Sequence, residues 1–264
     1  MLLLSFEEGD NEFSSIEYRN VRLSSLLIDL RIGEVSKAKA RPVCRSPYSD
    51  LPDESPVVML KMSHFSEDNE RIDWDIVRAE LAQQGILEDI ELIDRVALLE
   101  PDDLLVNLRG QTRVFRISAS MMHDMPDDLV QQGLRLAATN NFILMRPNPQ
   151  LVHVPFLQVI IDILLEDLSK EWLNILSEKP SESPMYQYLQ WKYIGRSSSP
   201  KPPGVPIGIR ELKEISIDIP GNLSVQQDLY NKYHEVKENE RRAIEKSKRF
   251  RNDLNKYINP NITP

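Results

Sequence analysis

Cysteine is almost missing, since Cys44 is the only one in 264 residues. A single thiol allows neither an internal disulfide nor a thiolate metal cage, so a small stapled secreted scaffold is excluded and a reducing compartment is expected. Glycine is sparse too, nine residues against eighteen prolines, and none falls in a GxxxxGK[ST] or GxGxxG loop. The common phosphate cradles are therefore absent, as are HExxH and paired CxxC metal signatures. No apolar run reaches the roughly 18 residues of a membrane span; the longest is the amphipathic stretch around Leu157 to Leu165. Met1 to Phe6 has no basic residue and meets Glu7 and Glu8 at once, so it does not read as a signal peptide. A cytosolic protein is expected. Positive charge is also in deficit, with 32 Lys and Arg against 41 Asp and Glu and a net charge of -9. That argues against a generic polyanion binder, because nonspecific affinity for nucleic acid comes from cations displacing counterions.

What is present is an ordinary globular composition, 41% hydrophobic and 28% charged. The length suits one large or two medium domains. The charge is unevenly placed: the last 44 residues carry +3 and the first 220 carry -12. Val57 to Met62 is a compact apolar run behind Pro56 and suits a buried strand. Leu104 to Leu108 and Arg113 to Ile117 flank Arg109-Gly110-Gln111-Thr112, where glycine permits a hairpin turn. Asn140 to Arg146 reads as a further strand, stopped by Pro147 and Pro149. From Val154 the pattern turns helical, with Phe156, Leu157, Ile160, Ile161, Leu164, Leu165 and Leu168 at i, i+3, i+4 spacing and Pro155 tolerated in the first turn. Ser197 to Pro206 is too rich in proline for regular structure, and Ile215 to Ile219 alternates like a strand.

Val225 to Ile258 contains neither Gly nor Pro and holds a seven-residue register through Leu229, Val236, Ala243, Phe250 and Tyr257. The companion series, Gln226, Tyr233, Glu240, Ser247 and Leu254, is mixed. One apolar seam on a helix of about 50 Å at 1.5 Å per residue calls for a partner helix, with polar seam positions setting register.

Catalytic chemistry is not evident. His64, His123, His153 and His234 lie far apart, and none has a second His or Cys at ligand spacing. Asp102-Asp103 and Asp127-Asp128 each adjoin a proline and read as turn residues before they read as a magnesium site. Asn148-Pro149-Gln150 does not meet the motif of an adenine methyltransferase.

Taken in order, five segments resemble the target-recognition domain and following helix of specificity subunits from type I restriction-modification enzymes. They are Arg22 to Leu27 with Arg31-Ile32-Gly33; Pro56 to Phe65 followed by Arg71 to Trp74; Glu100 to Leu105 followed by Leu108 to Arg113, with Asp102 where glycine is usual; Ala137 to Phe142 followed by Leu144 to Pro147; and Val205 to Ile207, Glu211-Leu212 and Ile217 to Pro220, after which Gln226 or Gln227 opens the long helix. The resemblance covers most of the chain. Members of that family usually carry two recognition domains and two long helices, whereas here there is one of each. The segment from Trp172 to Arg196 lengthens the usual stretch and has no assigned role beyond packing or a partner contact.

The resemblance implies a mixed α/β (α+β) fold, a strand-rich recognition domain at residues 14–220 followed by a long coiled-coil helix at 222–258. It implies a non-catalytic reader without a cofactor of its own. A DNA methyltransferase subunit that binds S-adenosylmethionine, and a restriction subunit, would be the partners on double-stranded DNA. Two half-length copies, or a copy and another subunit, would pair through the tails, with Leu229, Tyr233, Val236, Ala243, Phe250, Leu254 and Tyr257 at the interface. Base reading needs bidentate side chains on loops. Arg109, Gln111, Thr112, Arg113 and Arg116 on the hairpin are the first candidates, then Asn140 and Asn141, with Lys37, Lys39 and Arg41 beside Arg45 as a second basic cluster. Each has a plainer reading: solvated strand-face charges for the arginines, turn residues for the asparagines, and a phosphate-directed or solvated loop for the lysines. Two rival functions remain. One is an acidic adaptor or DNA mimic that binds a restriction-modification enzyme without reading DNA. The other is an enzyme of unfamiliar type, for which Asp102, Asp103 and His123 are the first candidates.

Overall fold

The computed structural model describes residues 16–33, 43–45, 54–66, 71–84, 97–107, 113–178 and 209–258; at 43–45, 54, 83–84, 168–178, 211 and 252–258 only the backbone is described. The chain divides into two compact units, residues 20–218, and residues 1–19 with 219–264. Strand β1 (Tyr18–Arg22) and the last described strand (Ser216–Pro220) form a two-stranded sheet.

The larger unit is built on two further sheets. Strands β2 (Leu27–Ile32), β5 (Leu104–Asn107), β6 (Val114–Arg116) and β8 (Phe142–Pro147) form a four-stranded antiparallel sheet in the order β2-β8-β5-β6. Strands β3 (Val43–Arg45), β4 (Glu54–Leu60) and β7 (Arg135–Ala138) form the second, antiparallel between β3 and β4 and parallel between β4 and β7. The expected hairpin is present, with Leu105 opposite Phe115. The apolar run before Lys61 is a buried strand as well, but it ends at Leu60, and Met62–His64 forms a 3-10 turn. Residues 142–145 are all fully buried, so β8 reads as a continuous apolar run because both its faces are covered.

Three short helices, α1 (Trp74–Gln84), α2 (Ala119–His123) and α3 (Asp127–Gln131), close one face of the core. Val77 and Leu81 of α1, Met121 of α2 and Leu129 of α3 join Val58, Leu60, Leu105, Leu136, Phe142 and Leu144 in a single cluster. At its centre Phe65, Phe115 and Phe142 meet, Phe65 to Phe115 at 4.4 Å between centroids and Phe115 to Phe142 edge-on at 5.9 Å. His64 is fully buried beside them. Its Nδ1 accepts from Lys61 N–H at 3.2 Å, which leaves the proton on Nε2, 3.1 Å from Glu80 Oε2 on α1. Burial holds its pKa below the ordinary histidine value despite the Glu80 carboxylate, so the ring is a neutral staple between β4 and α1.

Helix α4 (Val154–Glu178) follows, with Pro155 in its first turn and Phe156, Leu157, Ile161 and Leu165 buried. A short helix, α5 (Ile209–Glu214), precedes β9 (Ser216–Pro220). The linker at 197–206 and most of the 172–196 segment lie outside the described residues.

In the smaller unit α6 (Leu223–Ile258) is a single helix of 36 residues. Asn222 caps it, accepting from Ser224 N–H at 2.8 Å. Gln226 is fully buried and its Nε2 donates to Pro220 O at 2.8 Å, whereas Gln227 is exposed. Of the two glutamines that resemble the family's helix-opening position, Gln226 therefore ties the helix to the strand before it.

Candidate nucleic-acid interface

The register of the four-stranded sheet brings several sequence candidates to one of its ends. Asn107 of β5 pairs with Phe142 at the start of β8, and its N–H donates to Arg113 O at 3.0 Å. On the other side of Phe142, its carbonyl accepts from Gly33 N–H at 3.0 Å, just beyond Ile32 of β2. Asn140 and Asn141 are the central residues of a turn closed by Phe142 N–H on Thr139 O at 2.9 Å. Arg113, Asn140 and Asn141 thus share one sheet end, and it is from this end that the chain leaves at Gly33 and at Asn107. The segments that follow those exits carry Lys37, Lys39 and Arg41, and Arg109, Gln111 and Thr112; these six residues lie outside the described residues.

Arg116 does not join them. It closes β6 at the opposite end, half-buried, with Nη1 at 3.8 Å from Asp102 Oδ1. Strand side chains alternate between faces, so Arg113 and Arg116, three residues apart, also project to opposite sides. Sequence proximity groups them; the pleat separates them.

The Asp102-Asp103 turn supports the sheet from that second end. Asp102 has φ of 68°, the left-handed region where a side chain costs about 1 kcal/mol or more. That geometry accounts for glycine being usual at this position in the family the motifs resemble. Asp103 is fully buried: Arg146 donates to it from Nε and Nη2, both at 2.8 Å, and Glu100 N–H donates to its Oδ2 at 2.8 Å. Arg146 also donates to Glu100 Oε1 at 2.8 Å and Leu98 O at 2.9 Å. Asp103 is an anchor for β8, not a free carboxylate, and His123 is exposed on α2. Asp102, Asp103 and His123 do not converge on one centre. Among the described residues no group of three His, Cys, Asp or Glu could hold a metal ion, and no helix is long and apolar enough to cross a membrane.

On α6, Leu229 is buried, Tyr233 is half-buried, and Ala243 is exposed. Val236 and Phe250 are 56% and 67% exposed, and Ile244, which the seven-residue count passes over, is 55% exposed. The side chains of Leu254 and Tyr257 lie outside the described residues.

The described residues define a mixed α+β protein, three sheets with short helices and the 25-residue α4, followed by the 36-residue α6. No family model matches the sequence, and no curated protein matches it. Among solved structures the chain is similar to the HsdS subunit from Thermoanaerobacter tengcongensis, with a TM-score of 0.37 and 11% identity over 87% of this chain and 40% of that one. It is also similar to a chain of a type I R-M system solved for its complex assembly and conformational transition, with a TM-score of 0.40 and 13% identity over 94% of this chain and 47% of that one. The chain spans less than half the length of either.

Proposed function

We propose that this protein is a non-catalytic DNA sequence reader that directs a partner adenine methyltransferase, and with it a restriction subunit, to a target site. One observation carries the reading. The segments bearing Lys37 to Arg41, Arg109 to Thr112 and Asn140-Asn141 all depart from, or sit on, one end of the four-stranded sheet. A sheet end from which segments carrying Lys, Arg, Gln and Asn depart can bring the side chains that read base edges and hold phosphates to one surface. The ordered motifs of the sequence point the same way. S-adenosylmethionine would be bound by the partner.

The test is methylome sequencing of cells that express a type I methyltransferase subunit with and without this chain. Site-specific methylation should require the chain, and an unchanged methylome would end the proposal. In gel shifts against the methylated sequence, Arg109→Ala and Arg113→Ala should each weaken binding by about 1–3 kcal/mol and relax preference locally. Uniform weakening across sequences would reassign them to phosphate contacts.

The tail is proposed to pair antiparallel with a second copy of itself. Leu223 to Glu240 holds four carboxylates and two lysines, whereas residues 241–258 hold two carboxylates and seven Lys or Arg. Antiparallel pairing sets each acidic half against a basic one, and it covers the exposed stripe of Val236, Ile244 and Phe250. Val236→Asp with Phe250→Asp should halve the mass seen by light scattering without loss of folding, because both side chains are already solvent-exposed in the single chain. A mass that does not change would remove the tail from self-assembly.

The -12 charge of the first 220 residues favours a second reading, an acidic mimic that occupies a methyltransferase without reading DNA. Such a protein would bind the enzyme and no duplex at any salt concentration.

A further inference from the structure

Strand β6 is the outer strand of the four-stranded sheet, and among the described residues no further strand pairs with it. At Val114 its outward backbone groups are nonetheless met. Asp162 Oδ1 accepts from Val114 N–H at 2.9 Å, and Gln158 Nε2 donates to Val114 O at 3.2 Å. The two side chains stand one turn apart on the same face of α4, so they treat Val114 as a neighbouring strand would, one acceptor and one donor. A helix covering an edge in this way stops further strand addition.

It also does something more specific. Strand β6 is three residues long and pairs with β5 at Leu104, Leu105 and Val106, flanked by Asn107 N–H on Arg113 O at 3.0 Å and Ile117 N–H on Asp103 O at 2.8 Å. A grip on Val114 therefore fixes the strand immediately after Arg113 and two residues before Arg116. Asp162 is held there at a cost: burial pushes its carboxyl up to about 6, against the downward pull of the Val114 N–H and of the Arg113 charge, while Glu166 adds to the rise. Asp162 is half-buried on α4, and its carboxylate is committed to the Val114 N–H.

We propose that Gln158 and Asp162 are positioning residues that set the placement of the β5-β6 hairpin and of Arg113, and so the base preference of the protein. This rests on the DNA-reading function proposed above. Neither side chain need touch DNA; both act through Val114.

The full chain and three variants, Asp162→Ala, Asp162→Asn and Gln158→Met, are compared by amide hydrogen exchange and by selection from a randomised duplex library. Asp162→Ala should speed exchange at residues 113–116 at least ten-fold, leave β8 protected, and flatten the selected base preference. Asp162→Asn keeps an oxygen that accepts from Val114 and should restore both, and Gln158→Met should show a weaker form of the alanine effect. Unchanged exchange at 113–116, or faster exchange with the same base preference, would overturn the proposal. Should Asp162→Ala fail to fold, Gln158→Met decides: wild-type exchange and preference in that variant reject the proposal. If the wild-type chain selects no duplex, the DNA-reading function fails by itself, and exchange at 113–116 still decides whether the two side chains hold the hairpin.

Discussion

Arg146→Met should lower the unfolding free energy by about 3–5 kcal/mol, seen as a fall in the urea midpoint at unchanged slope. The size follows from what is left behind. Asp103 is fully buried, and Arg146 supplies two of its three hydrogen bonds at 2.8 Å. Without the guanidinium, an ionised carboxylate stays in the protein interior with only the Glu100 N–H for company. Leu98 O loses its Arg146 donor as well. Methionine fills much of the arginine's volume, so the loss measures the abandoned charge and not a cavity. A double variant, Arg146→Met with Asp103→Leu, should regain most of the stability, because replacing both members of a buried pair removes the uncompensated charge. If the double variant were as unstable as the single one, the charge argument would fail and shape would be the cause. The Arg78 to Asp128 pair between α1 and α3 provides the contrast. Both of its members are solvent-exposed, and Arg78→Ala should leave the midpoint almost unmoved.

The Asp103 to Arg146 pair also shows where sequence reading stops. Two aspartates after a proline have the composition of a turn, and Asp102 does sit in one. Nothing local distinguishes the second aspartate, whose partner lies 43 residues away. The elements that could be read were those with one strong period or a breaker at each end: the strand behind Pro56, the hairpin around Gly110, the run stopped by Pro147, and the helices beginning at Val154 and near Val225. Strand β1 could not, because its residues, YRNVR, mix charge with apolar side chains on both faces; β2, LIDLRI, does alternate, with Ile28, Leu30 and Ile32 against Asp29 and Arg31, but over too few residues to stand out beside the longer runs. Among the described side chains of α1, Val77 and Leu81 are buried and Trp74 partly so, too thin a stripe to stand out. In the structure Asp73 Oδ1 caps its start, accepting from Asp75 and Ile76 N–H at 3.1 Å. In the candidate interface, closeness in sequence placed Arg113 and Arg116 together, and the two-residue strand period separates them. The reverse holds for Asn140-Asn141 and Arg113, whose common sheet end depends on the Asn107 to Phe142 register.

Gly33→Ala should cost at least about 3 kcal/mol, at or beyond the upper end for overpacked sites. Gly33 donates to Phe142 O at 3.0 Å, and this contact brings the end of β2 against the corner between β7 and β8. A Cβ built there lies 2.6 Å from the carbonyl carbon of Ala138 and still closer to the carbonyl oxygens of Ala138 and Thr139. These are backbone atoms. Ala138 is fixed by pairing with Leu60 of β4, and Thr139 by its hydroxyl on Leu60 O at 2.9 Å, so neither can step aside as a side-chain tip would. The alanine must instead push β2 outward, breaking the Gly33 to Phe142 bond and loosening the Ile32 to Ile143 pair beside it. Gly221→Ala is the matched control, since a Cβ there meets nothing within 4 Å, and it should be neutral or slightly stabilising. The two variants are compared by thermal unfolding and by hydrogen exchange along β2. Equal behaviour would mean that β2 yields freely at its end. Loss confined to the Gly33 variant, with exchange accelerated first at residues 30–33, is the outcome the packing demands, and it would also disturb the sheet end from which the Lys37 to Arg41 segment departs.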